Sequence, residues 1–250
     1  MSAAIIDPVV ASSREGPTFR RASPRVACTR TLISTGERII IEGSDRQERL
    51  DRVYAAHGVE DLTESYDEWA SEYEGDMLSL GYTVPAVAAG LISRFVPPGA
   101  SALDAGVGTG VLGDTLEVLG YSDLVGIDLS EGMMDVARRK GAYRELRRMV
   151  LGEPLDFPDH RFDAVFSVGV FTAGHAPPDS FDELLRVVRP SGWLVFGVRD
   201  DSYTTGGFKE KQDQLVEAGG WELLRATEPF STFPAADLPY LYRMFAYRRL

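Results

Sequence analysis

An α/β domain is predicted: a doubly wound, mostly parallel sheet of seven strands, preceded by a cap of helices. Three observations predict it. From Ser101 onward, short apolar runs alternate with amphipathic stretches, the order of a parallel sheet wrapped by helices. Phe162–Val170 is almost continuously apolar, as a strand covered on both faces must be. The run Ser101–Ala105 enters three closely spaced glycines, Gly106, Gly108 and Gly110, which let a backbone turn tightly and approach a ligand.

The elements follow in order. Residues 1–48 read as a flexible arm: Arg14, Arg20, Arg21, Arg25 and Arg30 stand among Ser, Thr and Pro, without an apolar period. Thr35–Gly43 is expected to form a short strand around Ile39–Ile41. Residues 49–98 form the helical cap. Asp45–His57 is its first helix. A second is expected to start at Ser65, because Ser65-Tyr-Asp-Glu68 fits a capping box. Pro85–Phe95 is a third, ended by Pro97-Pro98-Gly99. Residues 99–250 form the sheet domain. Its strands are Ser101–Ala105, Leu124–Leu129, Arg148–Leu151, Phe162–Val170, Trp193–Val198, Trp221–Ala226 and Tyr242–Arg248. Helices at Val111–Leu119, Glu131–Lys140, Phe181–Val188 and Lys209–Ala218 alternate with them, and Ser130 is the expected N-cap of the second.

Composition narrows the function. The 250 residues are 44% hydrophobic and 26% charged, ordinary globular values. With 26 basic against 38 acidic residues, the net charge of −12 gives no broad positive field for nucleic acid. The one cysteine, Cys28, allows neither an internal disulfide nor a CxxC metal site, and no metal motif is visible. No apolar run approaches the ~20 residues that span a bilayer. The start lacks the order of a signal peptide, so the cytoplasm is the expected compartment.

The glycine turn has two readings. Gly108-Thr-Gly110-Val-Leu-Gly113 satisfies the GxGxxG pattern of nicotinamide dinucleotide proteins. Asp104 argues against it, because a carboxylate two residues before Gly106 suits a ligand with an ammonium group better than a pyrophosphate. Asp128, 22 residues after Gly106, ends the second strand, where an acid accepts the ribose hydroxyls of an adenosine.

Taken together, Leu103-Asp-Ala-Gly-Val-Gly-Thr-Gly110, Gly126-Ile-Asp-Leu-Ser130, Phe162-Asp-Ala-Val165 and Leu184-Leu-Arg-Val-Val-Arg-Pro-Ser-Gly192 resemble the class I S-adenosylmethionine-dependent methyltransferases, with their Rossmann-like sheet. Tyr66-Asp-Glu-Trp-Ala70, Gly81-Tyr-Thr-Val-Pro85 and Phe171-Thr-Ala-Gly-His175 resemble, within them, the methyltransferase-like group that includes the Williams–Beuren-region protein. Ser191 stands where the family commonly has a second glycine. The resemblance implies S-adenosylmethionine as cofactor and S-adenosylhomocysteine as product. Asp104 and the backbone of Ala105, Gly106, Gly108 and Gly110 would hold the methionine part. Asp128 would take the ribose. Leu129, Met133, Glu153, Pro154 and Leu155 would border the adenine. Val170 and Phe171 would face cofactor and substrate. Tyr66 and Tyr73 would close over the cofactor.

The expected activity is methyl transfer to nitrogen or oxygen of a small molecule, such as an aromatic or heteroaromatic metabolite; the alternatives are an NAD(P)-dependent reductase and a non-catalytic S-adenosylmethionine-binding partner subunit. His175, in the loop after the fourth strand, is the candidate general base. Tyr82, Phe171, His175, Tyr203 and Phe208 are the candidate substrate residues, with Phe230, Phe233 and Tyr240 adding aromatic surface. His57 and His160 are expected to be structural. The expected assembly is a monomer or homodimer, without nucleic-acid or membrane partners.

Overall fold

The computed structural model describes residues 43–236 and 238–250. The arm and the strand expected at Thr35–Gly43 fall outside them, except Gly43, which begins a helix. Four helices come first: α1 (Gly43–Ala55), α2 (Val59–Trp69), α3 (Tyr73–Leu80) and α4 (Val84–Phe95). The second corrects an expectation. It starts six residues before Ser65, after Gly58 turns the chain at φ 89°, and carries Glu60 and Asp61 in its first turn. The Asp61 carboxylate accepts the His57 N–H (2.9 Å), and Ser65 is buried mid-helix, so the expected capping box is unused. The helical spacing from Tyr66 to Tyr73 is likewise interrupted near Ala70, and Tyr73 opens α3.

The strands are β1 (Ala102–Ala105), β2 (Leu124–Asp128), β3 (Glu145–Arg148), β4 (Phe162–Phe171), β5 (Val188–Arg199), β6 (Trp221–Ala226), β7 (Phe230–Ser231) and β8 (Leu241–Arg249). The sheet order is β3-β2-β1-β4-β5-β8-β6, with β7 paired to β8. The first five strands run parallel, and β8 runs antiparallel between β5 and β6. The connecting helices are α5 (Val111–Val118), α6 (Glu131–Lys140), α7 (Ser180–Val187), α8 (Asp200–Thr205) and α9 (Phe208–Glu217). This is the expected doubly wound, mostly parallel sheet, with one two-residue strand beyond the seven.

Side-chain alternation along the strands divides the core. Leu103, Val165 and Phe196 face one side, with Phe181 of α7 and Phe208 of α9. Ala102, Phe166 and Val195 face the other, with Ile92 of α4 and Leu116 of α5. The first three helices have a smaller cluster, in which Leu50, Val53, Leu62, Trp69 and Met77 pack with Phe233 from the segment after β7. Among the described residues, no single helix is long and apolar enough to cross a membrane.

Two further expectations shift. The third strand is the polar Glu145–Arg148, which pairs Val125–Asp128 as a half-exposed edge strand. The apolar Met149-Val-Leu151 that suggested a strand there lines a cleft instead. After β5 the chain forms α8, which carries Tyr203, one of the expected substrate residues. Ser191 has φ 59°, a left-handed conformation that favours glycine and accounts for the family's usual residue there.

Candidate active site

A cleft of about 210 Å³ opens at the carboxyl ends of β1, β2 and β4, under the cap. The order reverses direction between β1 and β4, the place where α/β sheets bind ligands.

The glycine turn shapes its floor. The Gly106 and Val107 N–H groups both donate to the Ile127 carbonyl, at 2.8 and 3.0 Å. Gly106 has φ 93°, and a Cβ there would lie 2.1 Å from Val170 Cγ2, so only glycine lets β1 turn against the end of β4. Gly108 differs: a Cβ would meet nothing within 4 Å, because it would point into open space. Gly113, third glycine of the GxGxxG pattern, makes room for the Tyr143 ring, 2.4 Å from where its Cβ would stand.

Two carboxylates face this floor. Asp104 is buried, and its Oδ2 accepts the Tyr143 hydroxyl at 2.6 Å. Burial pushes its carboxyl up to about 7, against the pull of the Tyr143 hydrogen bond. Asp128 accepts the Gly108 N–H (2.8 Å) and the Ser130 N–H (2.9 Å), one on each oxygen. Burial raises its pKa too, opposed by those backbone donors. Ser130 caps α6 as expected, its Oγ accepting the Met133 N–H at 3.0 Å. Asp67 of the cap, which sequence reasoning missed, accepts the Ser130 hydroxyl (2.5 Å) and the Gly132 N–H (2.8 Å). A carboxylate at a helix N-terminus is favoured there, and this one ties α2 to α6.

The far wall is aromatic. Tyr66, Tyr73, Tyr82, Val170 and His175 line it. His175 Nδ1 lies 3.2 Å from the Ala173 carbonyl, which can only accept, so Nδ1 carries the proton. Nε2 therefore accepts the Tyr66 hydroxyl, at 2.9 Å. Burial holds the imidazole below its ordinary value, hence neutral at pH 7, and raises the Tyr66 phenol well above its own. At the wall's base, β4 and β5 slip in register between Ser167 and Phe171. Gly169 sits in this irregularity at φ 82°, its N–H donating to the Tyr242 hydroxyl oxygen (3.0 Å), which donates to the Gly197 carbonyl (2.9 Å). Bulges of this kind recur beside active sites.

The cleft thus brings together Tyr66, Tyr73, Tyr82, Asp104, Gly106, Gly108, Asp128, Leu129, Met133, Val170 and His175. Ala105 and Gly110 frame the turn behind it. The other expected residues are elsewhere. Phe171 and Phe208 are buried in the core against Phe181 and do not line the cleft. Tyr203 lies on α8 against Phe245, beneath the Arg243 guanidinium. Glu153 and Pro154 point to solvent, and Leu155 is buried, its N–H donating to Glu183. The wall expected from them comes from Met149, Val150 and Leu151.

The chemistry of the donor set fits S-adenosylmethionine. Asp104 suits its ammonium, Asp128 its ribose, and Leu129, Met133 and Met149 its adenine. The buried Thr109 hydroxyl beside Gly108 also has no hydrogen-bond partner. Fold and cleft define a nucleoside-binding α/β protein of the doubly wound type.

Comparison with known proteins narrows this. Residues 103–196 match a family model described as a methyltransferase domain. The chain is 37% identical over 196 residues to human methyltransferase-like protein 27, covering 74% of this chain and 79% of that one. It is 36% identical over 105 residues to a demethylmenaquinone methyltransferase of Symbiobacterium thermophilum, covering 39% and 42%. In fold it is similar to a crystal structure of an S-adenosylmethionine-dependent methyltransferase from Thermotoga maritima, with TM-score 0.55 and 18% identity, covering 74% of this chain and 98% of that one. The chain belongs to the class I S-adenosylmethionine-dependent methyltransferases, and S-adenosylmethionine is its cofactor.

Proposed function

We propose that this methyltransferase acts on nitrogen or oxygen of a small molecule, with an aromatic or heteroaromatic metabolite the best fit to the cleft. The observation that carries this is the Tyr66–His175 pair on the wall beside the end of β4. When bound, the cofactor supplies a methyl group activated on a sulfonium sulfur. Asp104 and Asp128 hold and orient that ligand. The walls of Tyr66, Tyr73 and Tyr82 exclude water and present flat apolar surface.

An N–H or O–H acceptor loses a proton as it is methylated. His175 Nε2 is covered by Tyr66, so it takes that proton through the phenol. The acceptor's proton passes to Tyr66 Oη as the Tyr66 proton passes to His175 Nε2. The neutral imidazole provides the lone pair this requires.

Purified protein, radiolabelled S-adenosylmethionine and a panel of aromatic and heteroaromatic amines and phenols test the reading. Transfer of label to one of them supports it. Cofactor binding with label reaching only protein or nucleic acid would overturn it. His175→Gln should lower kcat by roughly 10²–10⁴-fold with KM little changed, the range of a lost general base.

A further inference from the structure

A second, smaller cavity of about 40 Å³ adjoins the cleft, and Tyr66, Tyr73, Tyr82 and Gly169 line both. Its walls are apolar and aromatic except at three residues from three separate segments. Thr172 follows β4, Arg199 ends β5, and Thr232 follows β7. All three are buried.

Two of the three side chains lack a hydrogen-bond partner. The Thr172 and Thr232 hydroxyl oxygens are both buried without a hydrogen-bond partner. Arg199 donates from Nε to Asp201 at 2.7 Å, and Asp201 is itself largely in solvent. Its guanidinium carbon lies 4.7 Å from the Tyr54 ring centre and 5.4 Å from that of Tyr240. Tyr54 also hydrogen-bonds this guanidinium, and among the described residues no second carboxylate and no carbonyl meets it. A guanidinium has five N–H donors, and Asp201 and Tyr54 use only part of that capacity. Buried polar groups are normally paired, so two unpartnered hydroxyls beside a buried guanidinium around one hole mark a place for a ligand's acceptor atoms.

Position distinguishes this ligand from the cofactor. The ribose acid Asp128 ends β2, and Arg199 ends β5, three strand spacings away across β1 and β4. At about 4.8 Å per spacing that is roughly 14 Å. The cofactor's donors lie on the β2–β1 side, and Arg199 lies beyond β4, on the acceptor side. The cavity has room for a few non-hydrogen atoms. It therefore takes one end of a molecule whose remainder lies in the cleft by Tyr66.

We infer that this cavity is an anion subsite, and that the methyl acceptor is a small acid whose carboxylate pairs with Arg199 and the Thr172 and Thr232 hydroxyls. A planar guanidinium fork matches a carboxylate in two parallel hydrogen bonds. The aromatic walls hold the apolar body, and the atom to be methylated faces Tyr66. This assignment rests on the methyltransferase reading for the acceptor's role, but the subsite itself can be tested without turnover.

The probes are benzoate, phenylacetate and 3-phenylpropionate, each against its neutral amide, titrated calorimetrically into protein saturated with S-adenosylhomocysteine and into protein without it. At least one acid should bind tenfold or more tightly than its amide. Arg199→Gln should erase that preference while S-adenosylhomocysteine affinity stays within twofold. Thr172→Val should weaken the acid more than the amide, which keeps a test should Arg199→Gln not fold. Equal binding of acids and amides to the unaltered protein would overturn the inference, as would a preference that survives Arg199→Gln. A tenfold loss of S-adenosylhomocysteine affinity in Arg199→Gln would also overturn it, by placing the guanidinium on the cofactor. Failure of S-adenosylhomocysteine to bind the unaltered protein would count against the cofactor site alone, since the acid preference is measured in its absence too.

Discussion

Burial holds the Asp104 carboxyl at about 7, and the nearby Asp128 charge pushes the same way. Below that pH the group is mostly neutral and has little to offer a ligand ammonium. Affinity for S-adenosylhomocysteine should therefore fall by up to about tenfold per pH unit below 7, with about one proton released on binding at pH 6. The effect on folding has the opposite sign. The folded value lies above the unfolded one, so this group's contribution to stability is full below about pH 4 and lost as pH rises through about 7. Calorimetry between pH 5.5 and 8.5 reads the first effect, and Asp104→Asn should flatten it. A pH-independent affinity in the unaltered protein would remove Asp104 from the ammonium site. Asp104 and Asp128 were visible in sequence because an acid at a fixed distance from a glycine turn is a local pattern. Arg199 and Thr172 were not, since one ends β5, the other follows β4, and only the pairing of those strands brings them together. Phe171, Tyr203 and Phe208 failed for the complementary reason: an aromatic after a strand reads the same whether it faces a substrate or the core.

The turn between β1 and α5 shows how an element divides structural from binding roles. Gly106→Ala would drive a methyl into Val170 at an already unfavourable φ, so it should destabilise the fold by about 1–3 kcal/mol, seen as a lower thermal midpoint. Gly108→Ala meets open space, so the protein should fold with a smaller loss and lose S-adenosylhomocysteine affinity instead. Equal effects of the two on stability would contradict the geometry. The start of α6 was readable in sequence down to its cap. Ser130→Ala should cost about 1–2 kcal/mol, because the Met133 N–H loses its acceptor and Asp67 a donor. The false start of α2 shows the limit of such local signals. Ser65 and Glu68 have capping spacing, but Leu62 gains more by entering the cap's core, and the helix extends back to Val59 to bury it.

Helices α1, α2 and α3 have an apolar core separate from those of the sheet, and the cofactor cleft lies between them with walls from both. The cap's core holds few buried residues. Polar links tie it to the rest: Asp67 to Ser130 and Gly132, Lys140 to Glu74, and Tyr66 to His175. Segments with small cores open at lower free energy than the sheets they cover. Native-state hydrogen exchange should therefore show α1, α2 and α3 opening well before β1, β4 and β5. A ligand that binds only the closed form adds RT ln(1 + [L]/Kd) to the opening cost, about 2.7 kcal/mol at a hundredfold excess over Kd. Saturation with S-adenosylhomocysteine should slow exchange in the cap by roughly a hundredfold, up to the limit set by global unfolding. Asp67→Ala should abolish part of that gain, because it loosens α2 from α6 without touching β1 or β4. If cap and sheet exchange together with and without ligand, the two cores unfold as one unit, and the cap contributes fixed walls to the cleft. If only the cap responds, its closure over the bound cofactor is what brings Tyr66 and His175 into place, which makes acceptor binding depend on cofactor binding first.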